Sequence, residues 1–304
     1  MKHLRLLYFF SIIGLISACG DDDNDDEIEG PLTITEIAAG DENFTTLVSA
    51  LEQTNLTGVL SGTGTFTVFA PTNAAFDALG IDLSTLSDEA LTEVLLYHVL
   101  GSTVMSGDIA SGQTYVSTAA QTGPGNTALS LLVEGSSGVV LNGSAQVTTA
   151  DLEASNGVIH VINEVLLPLD VVGHAAANNN FTSLVGALDA AEGDLVTTLQ
   201  GDGPFTVFAP LNTAFDAISS VTATLSPTEL ANVLTYHVVS PANVLSSTLT
   251  DGQVVDALNG DSFTINIGSA VTITDASSND VGIVIVDVQG TNGVIHVLDA
   301  VLLP

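Results

Sequence analysis

An internal repeat constrains this 304-residue chain more than any other feature of its sequence. Four segments occur twice in the same order, at residues 43–51 and 180–188, 66–71 and 205–210, 97–98 and 236–237, and 156–161 and 292–297. The copies are 136 to 139 residues apart, and each ends in Val-Leu-Leu-Pro, at Pro168 and at Pro304. Because a repeat of this length is a domain, the sequence predicts two tandem domains, at 31–168 and 169–304. No Gly/Ser linker separates them, so we expect a fairly fixed relation between the two.

The first part of each copy carries helix signals around one short strand. Phe44, Leu47 and Leu51 repeat at the spacing of a helix face. The segment 66–71 predicts a strand that ends at a proline, and the segment 73–79 predicts a short helix.

A second helix signal follows in each copy. In the second copy Ser226, Pro227 and Glu229 form a strong helix start, and we expect the apolar face of that helix to extend to His237, or to His98 in the first copy. The remaining residues of each copy are rich in Val, Thr and Ile, with Gly, Asn and Asp between the runs, which indicates strands and hairpins. The expected fold class is therefore α+β in both domains.

Charge narrows the range of functions. The chain has 35 Asp and Glu residues but only two cationic residues, Lys2 and Arg5. A phosphate-binding P-loop needs a lysine, and nucleic-acid binding needs Lys or Arg to displace counterions. Neither can be built from residues 6–304, so nucleic acid is not an expected partner. Bare anionic lipid is disfavoured for the same reason.

The N-terminus carries both cations and predicts export. A short positive stretch is followed by the apolar run 6–15 and then by Ile16-Ser-Ala-Cys19, which is the pattern of a secretory signal. One interpretation is a signal peptide in which Cys19, the only cysteine, is incidental. The pattern also resembles a bacterial lipobox, which predicts a signal peptide at 1–18 and lipidation of Cys19. Without other cysteines the domains cannot form a disulfide.

A dense acidic run, from Asp21 to Glu27, follows Cys19. Like charges this close repel one another and keep a segment extended, so residues 19–30 are predicted to form a lipidated, solvated tether. The run also resembles the acidic segment after the lipidated cysteine in surface lipoproteins of Bacteroidetes-type bacteria. A calcium loop is disfavoured, because the ligand spacing around a Gly turn is missing.

The repeated histidines are the main candidates for chemistry. His98 and His160 recur as His237 and His296, and a histidine pair could supply half of a metal site. Each of them lies among apolar residues, however, so we expect structural imidazoles with hydrogen-bonded partners and no metal site. Asp77 and Asp216 are a repeated acid, expected to be exposed on a helix, and no catalytic partner for them is evident. No G-x-S-x-G, H-E-x-x-H or G-x-G-x-x-G motif occurs, so we expect neither an enzyme nor a cofactor.

These motifs together resemble one family. Thr67-Val-Phe-Ala-Pro-Thr-Asn-Ala-Ala-Phe76, Tyr97-His98 and Asn156-Gly-Val-Ile-His-Val-Ile-Asn-Glu-Val-Leu-Leu-Pro168 resemble the fasciclin (FAS1) domain in content, order and spacing. The second copy keeps the set, with Leu211 and Thr213 in place of Thr72 and Ala74. The resemblance covers about residues 31–304. It implies two tandem domains, each a β-sandwich wedge with a helical layer, and an extracellular role in adhesion or matrix contact without catalysis.

The resemblance also marks particular residues. The family's Tyr-His motif is tied to fold integrity and has been proposed as an adhesive epitope, which would fall on Tyr97, His98, Tyr236 and His237. Because His98 and His237 lie on apolar faces, we expect any adhesive role for them to be indirect, and His160 and His296 are predicted to be structural.

Two classes of function remain open at this stage. One is a lipid-anchored adhesion or matrix-contact protein, exposed on the outer membrane surface, whose partner is a surface or matrix protein, a polysaccharide or another copy of itself. The other is an envelope-anchored binding protein for a small ligand or a metal. We expect the Cys19 lipid to be the only membrane contact. The high negative charge predicts self-association that increases with salt, with weak calcium bridging between carboxylates.

Overall fold

A computed structural model describes residues 30–80, 85–222 and 224–304. The signal peptide, Cys19 and nearly all of the acidic tether lie outside these residues. Within the described ranges, no helix is both long enough and apolar enough to cross a bilayer. The repeat in the sequence is repeated in the structure, and the two copies are called domain 1 (31–168) and domain 2 (169–304) below.

Domain 1 places its helices around one strand and then forms a run of strands. Its helices are α1 (Ile34–Ala39), α2 (Thr45–Gln53), α3 (Thr57–Leu60), α4 (Asn73–Leu79) and α5 (Asp88–Tyr97). Its strands are β1 (Phe66–Pro71), β2 (Val99–Leu100), β3 (Gln113–Ser117), β4 (Ser130–Glu134), β5 (Val140–Leu141), β6 (Ala145–Ala154) and β7 (Gly157–Ile162).

Domain 2 follows the same order with one additional short helix. Its helices are α6 (Val171–Ala177), α7 (Thr182–Ala190), α8 (Leu195–Leu199), α9 (Asn212–Ala217), α10 (Ser219–Thr222) and α11 (Pro227–Tyr236). Its strands are β8 (Phe205–Pro210), β9 (Val238–Val239), β10 (Val254–Asp256), β11 (Ser262–Ile267), β12 (Val271–Thr274), β13 (Asp280–Gly290) and β14 (Gly293–Leu298).

The strands of each domain join in one hydrogen-bonded order. In domain 1 this order is β2-β1-β7-β6-β5-β4-β3, and domain 2 repeats it as β9-β8-β14-β13-β12-β11-β10. The central pair, β1 with β7 and β8 with β14, is parallel, and the other pairs are antiparallel. Register shifts in β6 and β13 bend the sheet, since bulges increase local twist.

Each domain has two apolar cores because side chains alternate along the central strands. In domain 1, Val68 and Ile159 pack under the helices with Leu91. Phe69 and Ile162 point to the opposite side of the sheet, where they pack with residues of β3 to β5. This second core lies between the two halves of the bent sheet. The expectation of an α+β fold with a sandwich wedge and a helical layer is confirmed.

Local signals placed several elements correctly. The strand 66–71 and the helix 73–79 have the predicted bounds, and α11 begins with the predicted capping box at Ser226. His237, which the sequence places at the end of the apolar face, is buried. The helix ends at Tyr236, and His237 is the residue that caps it.

Candidate functional site

The two motif tyrosines are buried and hydrogen-bonded inside the second core of their domains. Tyr97 and Tyr236 are both 0% exposed. The Tyr97 hydroxyl donates to the Ser130 carbonyl oxygen at 2.9 Å, and the Tyr236 hydroxyl makes the same bond to Ser262 at 2.9 Å. Burial raises the pKa of Tyr97 far above its ordinary value. Each tyrosine therefore ties the end of its helix to the first residue of β4 or β11.

The motif histidines each connect two backbone groups. Nδ1 of His98 donates to the Val94 carbonyl at 2.7 Å, and its Nε2 accepts from the Leu166 amide at 2.9 Å. His237 repeats this arrangement with Val233 at 2.8 Å and Leu302 at 2.9 Å. Each histidine follows the last residue of its helix, and its ring bonds the carbonyl four residues earlier.

This geometry requires a neutral imidazole. A neutral ring has one donor and one acceptor, and both are used in His98 and in His237. Burial lowers the pKa of each of these rings to about 4, opposed by the bond to Val94 or Val233. A proton on Nε2 would face another N–H donor. Neither ring is available to a metal or a partner in this structure.

In the histidines of the last strand, the donor and acceptor roles of the two ring nitrogens are exchanged. Nε2 of His160 donates to the Val104 carbonyl at 2.9 Å, and its Nδ1 accepts from the Asp151 amide at 3.2 Å. His296 bonds the Val244 carbonyl at 2.8 Å and the Asp287 amide at 3.4 Å. Both rings lie beside a phenylalanine of the parallel partner strand. Their placement agrees with the structural role that the sequence predicts, which stays a prediction until they are mutated.

An aspartate on the bulged strand completes this arrangement in each domain. Asp151 has a positive φ of 60°, and its carboxylate accepts from the Ser106 amide at 2.7 Å and from the Ser106 hydroxyl at 2.5 Å. These bonds lower the pKa of Asp151. Asp287 makes the same two contacts with Ser246. The carboxylates hold a loop against the strand, and Oδ1 of Asp151 also lies 4.0 Å from Nδ1 of His160.

The Asn-Gly pair of the last motif joins the first helix to the sheet. The Asn156 side chain accepts from the Ile34 amide at 3.0 Å and donates to the Leu60 and Gly62 carbonyls at 2.7 and 3.1 Å. The next residue, Gly157, faces Phe66 across the parallel pair, where a Cβ would lie 2.0 Å from the Phe66 carbonyl oxygen. Only glycine fits this position.

The residues predicted as candidate sites therefore do not form an exposed cluster. Among the described residues, no group of three or more His, Cys, Asp or Glu side chains could hold a metal ion. Asp77 and Asp216 are exposed on their short helices, as the sequence predicts.

Cavities offer little to a small ligand. The described apolar cavity of about 30 Å³ lies in domain 2 between α6, α7 and the central strands, and ligand pockets typically measure 300–1,000 Å³. Depressions of about 290–300 Å³ are open to solvent. One of them is lined by Phe215, Asp216 and Leu230.

A contact between the two domains brings together residues that the sequence did not single out. Tyr115 on β3 of domain 1 packs into the helical core of domain 2. Its hydroxyl accepts from the Asn178 side chain at 3.0 Å, and its ring meets His174 of α6 edge to face, with centroids 5.6 Å apart. Beside them, the Asn180 side chain donates to Gln113 at 3.2 Å.

A second part of the contact involves β13 and the hairpin loop 120–129. The backbone N–H of Gln289 donates to the Ser130 hydroxyl at 2.9 Å, and Gln289 is only 3% exposed. Asn243 donates to the Pro124 carbonyl at 3.4 Å. Domain 2 has only residues 257–261 between β10 and β11, whereas domain 1 has residues 118–129 between β3 and β4, so the longer loop is specific to domain 1 and meets domain 2.

Within the described ranges, His174 is the one histidine outside the repeated set. It is 0% exposed, and neither ring nitrogen has a hydrogen-bond partner of acceptable geometry among the described residues. Burial lowers its pKa to about 4, opposed by the nearby backbone of Gln289. Domain 1 has Ile37 at this position. The fold thus accepts an apolar residue at this position. The difference between His174 and Ile37 was the feature of the sequence that could have indicated the domain contact.

Comparisons with known proteins agree with this architecture. The Fasciclin domain model matches residues 42–168 and 179–304. Protein sll1483 of Synechocystis sp. is 43% identical over 145 residues, covering 46% of this chain and 76% of that protein. Transforming growth factor-beta-induced protein ig-h3 of Sus scrofa is 29% identical over 266 residues, covering 81% of this chain and 35% of that protein. The chain spans about a third of the length of this animal relative.

One solved structure is also similar. The FAS1 domain pair from the insect cell adhesion molecule fasciclin I matches 84% of this chain and 92% of that chain, at 18% identity and a TM-score of 0.49.

Proposed function

The chain belongs to the fasciclin domain family, and we propose that it is an adhesion or matrix-contact protein held at the cell surface by a lipid on Cys19. The observation that carries this proposal is the burial of the repeated tyrosines and histidines. The polar atoms of these side chains form hydrogen bonds to backbone groups of their own domain. The side chains are Tyr97, His98, His160 and their counterparts in domain 2. What remains for a partner is the outer surface.

The same observation supports a role without catalysis. The repeated histidines have no free ring nitrogen, and Asp151 and Asp287 are engaged by serines. The sequence has no Lys or Arg after Arg5, so a developing anion would have only neutral donors beside it. The alternative of a small-ligand carrier finds weaker support, because the described apolar cavity has the volume of about one water molecule.

The proposed partner is a surface or matrix protein, a polysaccharide or a second copy of the chain. Calcium ions would add weak bridges between carboxylates on facing surfaces. The proposed location is the outer face of the outer membrane, with the acidic segment 21–27 as a solvated tether.

The test is a display experiment with the full-length chain. Cells that export lipoproteins to their surface would express it, and their attachment to immobilised matrix proteins and polysaccharides would be counted together with cell clumping. We expect attachment or clumping above that of cells with an empty vector. Surface-displayed, folded protein that produces neither would contradict the proposal.

A further inference from the structure

The internal repeat allows each face at the domain contact to be compared with its counterpart on the free end of the molecule. We call the surfaces that meet between the domains the inner faces. The corresponding surfaces of domain 1 around α1 and of domain 2 around β10 are the outer faces. Strand register defines the matches, because Ser117 pairs with Ser130 and Asp256 with Ser262. Ser117 therefore corresponds to Asp256. Tyr115 lies two residues before Ser117 and Val254 two residues before Asp256, so Tyr115 corresponds to Val254.

The outer faces keep an apolar centre. Val254, at the position of Tyr115, is 64% exposed. Ile37, at the position of His174, is partly exposed, and Leu32 beside α1 is 48% exposed. A surface with no partner has no need of large apolar side chains at the two positions that meet in the inner contact. They are what a second domain contact would cover.

The polar positions around these centres differ systematically in charge. The inner face of domain 2 has two buried amide side chains at these positions. Asn178 donates to Tyr115 across the contact, whereas the Gln289 side chain bonds Asn243 and Gly293 within domain 2 and only its backbone N–H donates to Ser130. At the same positions the outer face of domain 1 has Asp41 and Glu153. On the other outer face, Asp256 replaces Ser117. Amides can be buried when hydrogen-bonded, whereas like carboxylates that face one another repel.

We propose that two copies of the chain dock through these outer faces, with Val254 of one copy over Ile37 of the next, when salt screens the carboxylates. This inference rests on the proposed adhesive function and names its partner as a second copy. The contact joins two different surfaces, so it is heterologous and builds head-to-tail assemblies. At low salt the acids at the rim and the high negative charge keep the copies apart, and screening on a length of about 8 Å at 0.15 M ionic strength removes most of that repulsion.

Sedimentation velocity of the secreted Cys19→Ala chain at about 0.05 and about 0.5 M NaCl tests this proposal. The chain with otherwise wild-type sequence should be monomeric at low salt and should associate at high salt. The double variant Asp41→Asn with Glu153→Gln restores the amides of the inner face. It should associate about tenfold more tightly at low salt, which is about 1.4 kcal/mol, because two carboxylates that repel the acids of the facing surface are removed.

Two matched variants locate the surface. The control variant Glu52→Gln with Asp77→Asn removes the same amount of charge. Its two positions lie outside the proposed docking surface, because their domain 2 counterparts, Asp189 and Asp216, are exposed and not covered by the inner contact. This pair should leave low-salt association unchanged. Val254→Asp should keep the chain monomeric at both salt concentrations. Circular dichroism would verify that each variant is folded.

Three results would overturn the inference: a wild-type chain that stays monomeric in high salt, equal association of the two double variants, or no effect of Val254→Asp. The same Val254→Asp chain, displayed on cells, separates this inference from the proposed function. If cells displaying the monomeric Val254→Asp chain still attach to matrix, the proposed adhesive function stands without self-association. If they no longer attach, the sedimentation result alone still decides whether two copies dock.

Discussion

Tyr115 of domain 1 and His174 of domain 2 lie edge to face across the domain contact, with ring centroids 5.6 Å apart and planes inclined by 69°. Tyr115 has a hydrogen-bond partner in Asn178, whereas His174 has none among the described residues. A buried imidazole without partners is stabilised only by packing, and it resists protonation. The contact between the domains therefore contains a buried imidazole whose pKa is lowered by burial.

Replacing His174 with isoleucine, the residue that domain 1 has at this position, should reduce the acid sensitivity of domain 2. The folded pKa of about 4 lies below the unfolded value of 6.5, so the unfolded chain takes up the proton first. The contribution of His174 is fully present above pH 6.5 and is lost as the pH falls toward 4. Its total is about 3 kcal/mol at most.

Urea unfolding of both chains at several values between pH 7.5 and pH 4.5 measures this effect. The wild type should lose more stability than His174→Ile across this window, because His98, His237 and His296 titrate in both chains and cancel in the difference. Parallel curves for the two chains would show that His174 is not held neutral by the contact.

Gly293→Ala should destabilise domain 2 strongly. Its Cβ would lie 2.3 Å from the carbonyl oxygen of Phe205 on the parallel strand, so one strand must shift, at a cost of about 1–3 kcal/mol. Gly186→Ala is the control within the same domain, because nothing lies within 4 Å of its Cβ on helix α7. It should stabilise by about 0.5–1 kcal/mol. Thermal unfolding that ranks the two variants in the reverse order would refute this account of the Asn-Gly motif.

Val171→Ile should stabilise domain 2 slightly. Val171 lines the cavity of about 30 Å³, and domain 1 has Ile34 at the same position. The added methylene should contribute up to about 0.8 kcal/mol. The reverse change in domain 1, Ile34→Val, should cost about 0.5–1.5 kcal/mol. Denaturant midpoints give both values, and a destabilised Val171→Ile chain would mean that the cavity cannot accept the methylene.

Cys19→Ala should release the protein from membranes in a host that processes lipoproteins. Without the thiol there is no acceptor for the lipid, and the described helices provide no span. Fractionation and immunoblotting measure the distribution, with Ser17→Ala as a control that leaves the cysteine in place. Equal membrane partition of Cys19→Ala and wild type would exclude the lipid anchor.

Local elements could be predicted from sequence because their signals are local. Strand 66–71 is bounded by its own apolar run and a proline, and Ser226 sits before Pro227 with Glu229 in reach of its amide. The apolar pattern places His237 on the helix face, but it does not report the bond from its imidazole to the carbonyl of Val233.

The domain contact could not be predicted, because it depends on residues that are distant in sequence. Tyr115 and His174 belong to different copies of the repeat, and only their departure from Val254 and Ile37 marks them. Such a departure shows that a position differs in environment, but not which surface covers it. The buried roles of His98 and His160 were accessible from their apolar neighbours, while their partners in loops and strand ends were not.

The account rests most directly on the motif histidines being neutral bridges within the fold and not exposed contact residues. Long-range nitrogen–proton NMR of the ring nitrogens across a pH titration measures this. We predict the Nδ1–H tautomer for His98 and His237, the Nε2–H tautomer for His160 and His296, and no titration of His98 or His237 until the pH approaches about 4. Rings of His98 or His237 that titrate near pH 6.5 in the folded protein would contradict the account, because they would be open to solvent and to a partner.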